Sequence, residues 1–244
     1  LVGAIGSDAT AGAALTELTP AGVDLAGVAT LPGATGLAII IVNGQADNTI
    51  VVSPGANARA SARALRGTPF ARGDSLLLQM EVPFAESLAA AEAARAAGAR
   101  VIFSLAPYAP RPAEDFAAFD IVIVNQHEAA DLAKHFGLAG KGPEATVPAL
   151  RARLGRTVIA TLGPDGAIAA ADDGIVRVPS PVVKVVDTTG AGDTFCGVLA
   201  AMLDEGADLK AAMTRAAIAG ALACTKEGAQ PSFPTRAEID AATN

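Results

Sequence analysis

Two aspartates and two glycines fall within the seven residues Asp187-Thr-Thr-Gly-Ala-Gly-Asp193. A glycine turn at the start of a helix leaves first-turn N–H groups unpaired at the positive end of the macrodipole. Such a turn can hold a phosphate, or stabilise negative charge developing on one. Asp193, beside that anion hole and expected to be kept ionised by the helix N-terminus, is placed to take a proton from a hydroxyl attacking a phosphoryl group. The same residues would also serve as ordinary helix caps and a chain reversal, because Asp is a common N-cap.

The loop needs a strand before it and a helix after it. Val182 to Val186 have the β-branched density of a buried strand, and Thr194 to Leu203 read as an apolar helix, so Gly190-Ala191-Gly192 must turn the chain between them. Two other phosphate motifs are missing. Gly137-Leu-Ala-Gly-Lys-Gly142 has the wrong spacing for G-x-x-x-x-G-K-[ST] and lacks its hydroxyl residue, and no G-x-G-x-x-G occurs.

Elsewhere strands and helices alternate. Leu1 to Ile5 read as a strand, followed by a helix through Leu18 that Pro20 to Asp24 break. Leu37 to Val42 and Thr49 to Val52, joined by the turn-rich 43–48, form a hairpin over about 34–53, either a lid or an edge pair. Further strands are expected at Ser75 to Met80, Val101 to Leu105, Ile121 to Val124 and Thr157 to Leu162. A small hairpin is expected at Ala167 to Ala171 and Ile175 to Val178. Helices are expected at Pro83 to Ala97, Ala129 to Phe136, Pro148 to Leu154, Asp208 to Thr225 and Arg236 to Ala242, the last capped by Thr235. Near-continuous apolar strands alternating with helices imply an α/β fold: a three-layer, Rossmann-like, mostly parallel sheet with helices on both faces, here as one domain over 1–244 with a small β lid.

Ligands of such sheets bind beyond the carboxyl ends of the strands. The polar residues there are Glu81, Ser104, Asn125 with Glu128, Thr161 with Gly163, and Asp187 with Asp193. Asn125-Gln-His-Glu128 fits a capping box, or a pair that orients magnesium-bound water and phosphate oxygens. The turn Gly163-Pro-Asp-Gly166 could contact nucleotide phosphates through its amides, and the loop Lys226 to Ser232 could close over the site.

At 244 residues there is room for one large α/β domain. The 51% apolar content without a bilayer-length apolar run implies a soluble globular chain with no membrane partner. A net charge of −7 with no Lys/Arg cluster argues against nucleic acid. Cys196 and Cys224, in apolar helical context, read as buried thiols that suit a reducing cytoplasm. His127 and His135 have no metal-ligand spacing and read as surface or capping residues. The chain opens at Leu1 inside an apolar run, as if a strand were entered part-way, so an upstream segment is expected to be missing.

The string Asp187-Thr-Thr-Gly-Ala-Gly-Asp-Thr-Phe195 resembles the C-terminal signature of the ribokinase-like (PfkB) carbohydrate kinases. Ala34-Thr-Gly-Leu-Ala, Gly55-Ala-Asn57, Gln79-Met-Glu81, Asn125-x-x-Glu128, Thr161-Leu-Gly163 and Gly228-Ala-Gln-Pro-Ser232 are similar to that family's segments in the same order. The G-A-N and G-A-Q-P-S pieces point toward the ribose branch more than the fructose, ketodeoxygluconate or adenosine branches.

The resemblance implies ATP-dependent transfer of the γ-phosphoryl group to the 5-hydroxyl of ribose, giving ribose 5-phosphate. The alternatives are a relative acting on another sugar or nucleoside, or a truncated, catalytically silent nucleotide-binding protein. It implies that Asp193 is the base and a sugar ligand, that the amides of Gly190, Ala191 and Gly192 form the anion hole, and that Glu81 contacts the sugar. ATP would be held by Asn125, Thr161, Gly163, Gly166, Gly192 and Ala217, with Ala217 where the family often has Asn or His and Ser104 where it usually has Asn. Glu128 would act through Mg2+. Asp187, Thr189, Ala223, Lys226, Gly228 and Ser232 would hold K+, mostly through carbonyls, and a homodimer through the lid is implied. The family's N-terminal sugar-binding aspartate and G-G-K-G-x-N-like motif have no counterpart in the sequence.

Overall fold

The computed structural model describes residues 1–42, 48–65, 70–138 and 140–243. The chain divides into two compact units, Leu1–Pro69 with Met80–Ala90, and Phe70–Gln79 with Ala91–Asn244. Among the described residues no helix is long and apolar enough to cross a membrane.

In the first unit, strand β1 (Val2–Ile5) runs parallel to β2 (Gly27–Thr30), with the short helix α1 (Ala11–Leu15) between them. The helix ends three residues earlier than expected. Thr16 and Thr19 are β-branched, and Pro20 disfavours helical backbone just before it. Strand β2 escaped prediction because four residues carry too little alternation to announce themselves. The Asp8 carboxylate ties the turn after β1 to the segment between β2 and β3, accepting from Thr35 Oγ1 at 2.6 Å and Thr35 N at 3.0 Å. The expected hairpin is present as β3 (Leu37–Val42) against antiparallel β4 (Asn48–Ser53), in register from Leu37 opposite Ser53 to Val42 opposite Asn48. Its connecting residues 43–47 lie outside the described residues.

The second unit is built on a six-stranded sheet. Strands β5 (Ser75–Leu78), β6 (Arg100–Ser104), β7 (Ile121–Asn125) and β8 (Thr157–Thr161) are parallel. Strands β9 (Ala167–Ala171) and β10 (Gly174–Val178) are antiparallel, giving the order β10-β9-β8-β7-β6-β5. The helices are α2 (Phe84–Ala96), whose first residues belong to the first unit, α3 (Gln126–His135), α4 (Pro143–Leu154), α5 (Ala191–Asp204), α6 (Leu209–Ala223) and α7 (Arg236–Thr243).

The central strands are buried on both faces, which is why they read as unbroken apolar runs rather than alternating ones. On one face Ile102, Ile123, Ile159 and Ala169 pack against Phe195 and Leu199 of α5 and Met213 and Ala216 of α6. On the other, α3 lies on β7 and α4 on β8 and β9. Phe103 of β6 stacks on Phe119, rings 4.1 Å apart and 8° from parallel, and meets Phe116 edge-on.

One expected strand is absent: Val182 to Val186 form no ladder, and Val182, Val185 and Val186 are exposed. Pro179 and Pro181 stand just upstream, and proline can neither donate to a ladder nor sit in a central strand. The segment is pinned instead to the end of α6, where Val186 N and Asp187 N donate to Cys224 O at 2.8 and 3.3 Å. β-branched density alone was a false signal of burial here.

Candidate active site

The parallel ladder sets the first group of side chains. Asn125 of β7 stands opposite Thr161 of β8, so both emerge together at the carboxyl edge of the sheet. Asn125 is also the N-cap of α3. Its Oδ1 accepts from His127 N and Glu128 N, both at 2.9 Å, and Glu128 Oε2 accepts from Asn125 N at 2.7 Å, completing a capping box. Burial pushes the Glu128 carboxyl above its usual range, opposed by that backbone hydrogen bond.

The second group comes from the loop before α5. The helix begins at Ala191, three residues earlier than expected, so Asp193 is the third residue of its first turn. Gly190 is the N-cap, in left-handed backbone at φ +77° and with no side-chain cap. Glycine is required there: a Cβ would sit 2.9 Å from the Phe233 ring and 3.2 Å from Ala229 Cα. At Gly192 a Cβ would meet nothing within 4 Å, so no packing constraint accounts for that glycine. The Ala191 amide reaches Thr188 O at 3.3 Å, while helix geometry leaves Gly192 N and Asp193 N without intrahelical acceptors.

Asp187 braces the loop. Its Oδ1 accepts from Thr189 N at 2.9 Å and Thr189 Oγ1 at 2.7 Å, and its Oδ2 accepts from Gly228 N at 2.9 Å. The Thr189 and Gly228 donors hold its carboxyl below the usual range. The Asp193 carboxyl is shifted in the other direction. Its surface is exposed, yet enough protein surrounds the carboxyl that desolvation pushes it up, and among the described residues it has no hydrogen-bond partner. One turn on, the buried Cys196 thiol, hydrogen-bonded with Ser104, is pushed up to about 12, first of all by burial.

A cavity of about 330 Å³ opens beside this loop. Of the residues expected to hold nucleotide, Thr161, Gly163, Gly166, Gly192 and Ala217 line it, as does Ala191. Asn125 and Glu128 do not line this cavity, nor do Gly190 and Asp193. Sequence reasoning missed Val183, Val185, Ala221 and Cys224, which form much of its apolar wall. The two valines were hidden by the false strand; Ala221 lies one turn beyond Ala217 on α6 and could have been found from that spacing. Glu81 belongs to the first unit, whereas every other expected site residue belongs to the second.

The pfkB family carbohydrate kinase profile matches residues 1–236. The chain belongs to that family. This kinase is 30% identical over 243 residues to a ribokinase of Lactococcus lactis, covering 99% of its own length and 78% of that relative. It superposes on the crystal structure of a ribokinase from Thermotoga maritima with a TM-score of 0.88 at 32% identity, covering 99% of its own chain and 80% of the other. It also superposes on an Arabidopsis thaliana ribokinase complexed with ribose and ATP, with a TM-score of 0.87 at 28% identity and the same coverage.

The residues expected to hold a monovalent cation lie on the loop before α5 and on the end of α6 with the segment after it. The Asp187–Gly228 and Val186–Cys224 hydrogen bonds join the two segments, and the fully buried Ser232 donates its hydroxyl to Ala229 O. The Lys226 ammonium is turned to Glu238 at 2.9 Å, so this residue could contribute only its carbonyl. For magnesium the fit is looser: among the described residues no three His, Cys, Asp or Glu gather. A Mg2+ here would take most of its ligands from phosphate and water.

Proposed function

We propose that this kinase transfers the γ-phosphoryl group of ATP to the 5-hydroxyl of D-ribose, giving ribose 5-phosphate and ADP. The observation that carries the reading is the α5 N-terminus, uncapped by any side chain, with Asp193 at its third position and a cavity alongside lined by Thr161, Gly163 and Ala217. Asp193 takes the proton as the hydroxyl oxygen attacks phosphorus and the bond to the ADP oxygen breaks. The amides of Gly190, Ala191 and Gly192 receive the negative charge on the transferring group. Glu81 carries a sugar contact in this reading. Asn125, Thr161, Gly163 and Gly166 hold the nucleotide, with Ala217 as an apolar wall.

Bound magnesium would neutralise phosphate charge, with Glu128 acting through its water. Potassium at Asp187, Thr189, Ala223, Lys226, Gly228 and Ser232 would fix the loop and strengthen the anion hole. Activity indifferent to exchanging potassium for a bulky organic cation would remove that site.

The β3–β4 hairpin is proposed as a lid that pairs two copies. Leu37, Ile39 and Val51 share one face by register and are 51%, 50% and 50% exposed, and Val52 on the opposite face is 52% exposed. Light scattering should give twice the mass of one chain, falling to a single chain for Ile39→Glu. With ATP as co-substrate the reaction belongs in the cytoplasm.

ADP release with ATP, Mg2+ and K+ against ribose, fructose, ketodeoxygluconate and adenosine tests the whole reading. Ribose should be preferred. A different preferred acceptor replaces the substrate and keeps the chemistry, while no release from folded protein overturns the proposal.

A further inference from the structure

The segment after α6 does more than end the fold. Cys224 O receives the amides of Val186 and Asp187, Gly228 N donates to Asp187, and Ser232, fully buried, donates its hydroxyl to Ala229 O at 2.7 Å. Phe233 follows, its amide donating to Gln230 O at 3.2 Å. Beyond it, Thr235 and Glu238 cap α7 reciprocally, and Lys226 reaches back to the same Glu238. Both ends of 224–233 are therefore anchored.

Phe233 stays 39% exposed, unlike the phenylalanines of the core, and its ring comes against Gly190, where a Cβ would stand only 2.9 Å from it. With more than a third of its surface in water, it gains less from burial than the core phenylalanines do. Its contact is with the one left-handed residue that aims the first turn of α5.

We infer that Phe233 is a positioning residue for phosphoryl transfer: its ring, together with the Ala229 backbone, clamps the Gly190 turn and sets the direction of the amides that follow. The inference rests on the kinase reading for its catalytic consequence, and on the packing alone for the clamp. Gly190 has no side chain of its own to lock its backbone, so an external contact must supply the constraint. An anion hole needs that constraint, because donors act on the transition state only when held in place beforehand.

The test pairs Phe233→Ala with Phe233→Leu, measured by steady-state kinetics, calorimetric binding of ADP, and amide hydrogen exchange of the free protein. In Phe233→Ala, amides 188–193 should exchange faster while the rest of α5 and α6 do not. Its kcat should fall about 10- to 100-fold, with KM for ATP and ADP affinity within about threefold of the parent, because aim is lost and ground-state binding is not. Phe233→Leu should restore most of both. Unchanged exchange at 188–193 overturns the clamp even if the kinase is active. Faster exchange with unchanged kcat, or a fall in kcat matched by loss of ADP binding and of global protection, overturns the positioning role. If the parent protein transfers phosphate to no acceptor, the kinase reading falls and with it the positioning role, while the exchange result still decides the clamp.

Discussion

Two helices begin at the ligand edge of the second unit in opposite ways. At α3, Asn125 in extended backbone folds its side chain over the first turn and consumes two amides, and Glu128 returns the bond. At α5, Gly190 has no side chain to offer, and the amides of Gly192 and Asp193 are left without an intrahelical acceptor. The two ends share the helix dipole, and differ in the backbone of the cap residue and in whether the chain spends a side chain on its own N–H groups. A self-satisfied end is a structural joint, whereas an end left open beside a cavity is a place for an anion. The polar atoms that the capping box leaves unused are Asn125 Nδ2 and Glu128 Oε1.

The sharpest way to break the comparison is Asp193→Asn. If the open end is the catalytic one, kcat should fall about a thousandfold or more, as expected for losing a positioned base, while ADP binding by calorimetry barely changes. Thermal stability should not fall, because a desolvated carboxylate without a hydrogen-bond partner among the described residues is replaced by a neutral amide. Near-normal turnover would remove Asp193 as base. The same group sets a pH dependence. Its folded pKa is raised by burial, so the carboxylate becomes protonated at a higher pH than an ordinary aspartate, and kcat/KM should decline on acidification through that raised value. An acid limb no higher than for an exposed aspartate would contradict the desolvated site.

Next in size is a pair that separates packing from chemistry within the loop. Gly190→Ala places a methyl against Phe233 and Ala229 in left-handed backbone, and should cost roughly 1–3 kcal/mol of stability along with activity. Gly192→Ala meets open space, so urea unfolding should move by less than about 0.5 kcal/mol. Yet phosphoryl transfer should drop, because the methyl enters the cavity that Gly192 lines. Equal stability losses in the two would mean that both glycines serve the fold.

That distinction marks how far the sequence could be read. The α/β class, the four parallel strands, the β9–β10 hairpin and the Asp187–Asp193 loop were all legible, because doubly buried strands are long apolar runs and a Gly-x-Gly-Asp turn is local. Gly190 and Gly192 looked equivalent in sequence, since only three-dimensional packing brings Phe233 to one and not the other. Val182 to Val186 misled because β-branched density measures fit to a pleated surface, and the prolines before it forbade one. The direction of the Asp193 shift was not legible either: the dipole argument is local, whereas desolvation depends on how the chain packs around the carboxyl.

The smallest effect belongs to the closed end. Asn125→Ala deletes the acceptor shared by His127 N and Glu128 N, and should cost about 1 kcal/mol, the usual worth of an N-cap. In a chain of this size that is roughly 2–4 °C of melting temperature. Asn125→Asp keeps the acceptor and adds a charge the dipole favours, so it should recover most of the loss. Any effect on kcat should be modest, through Asn125 Nδ2 alone. A variant that melts normally but loses turnover as Asp193→Asn does would place the α3 N-terminus among the catalytic groups, and the division between a capped joint and an open anion site would not hold.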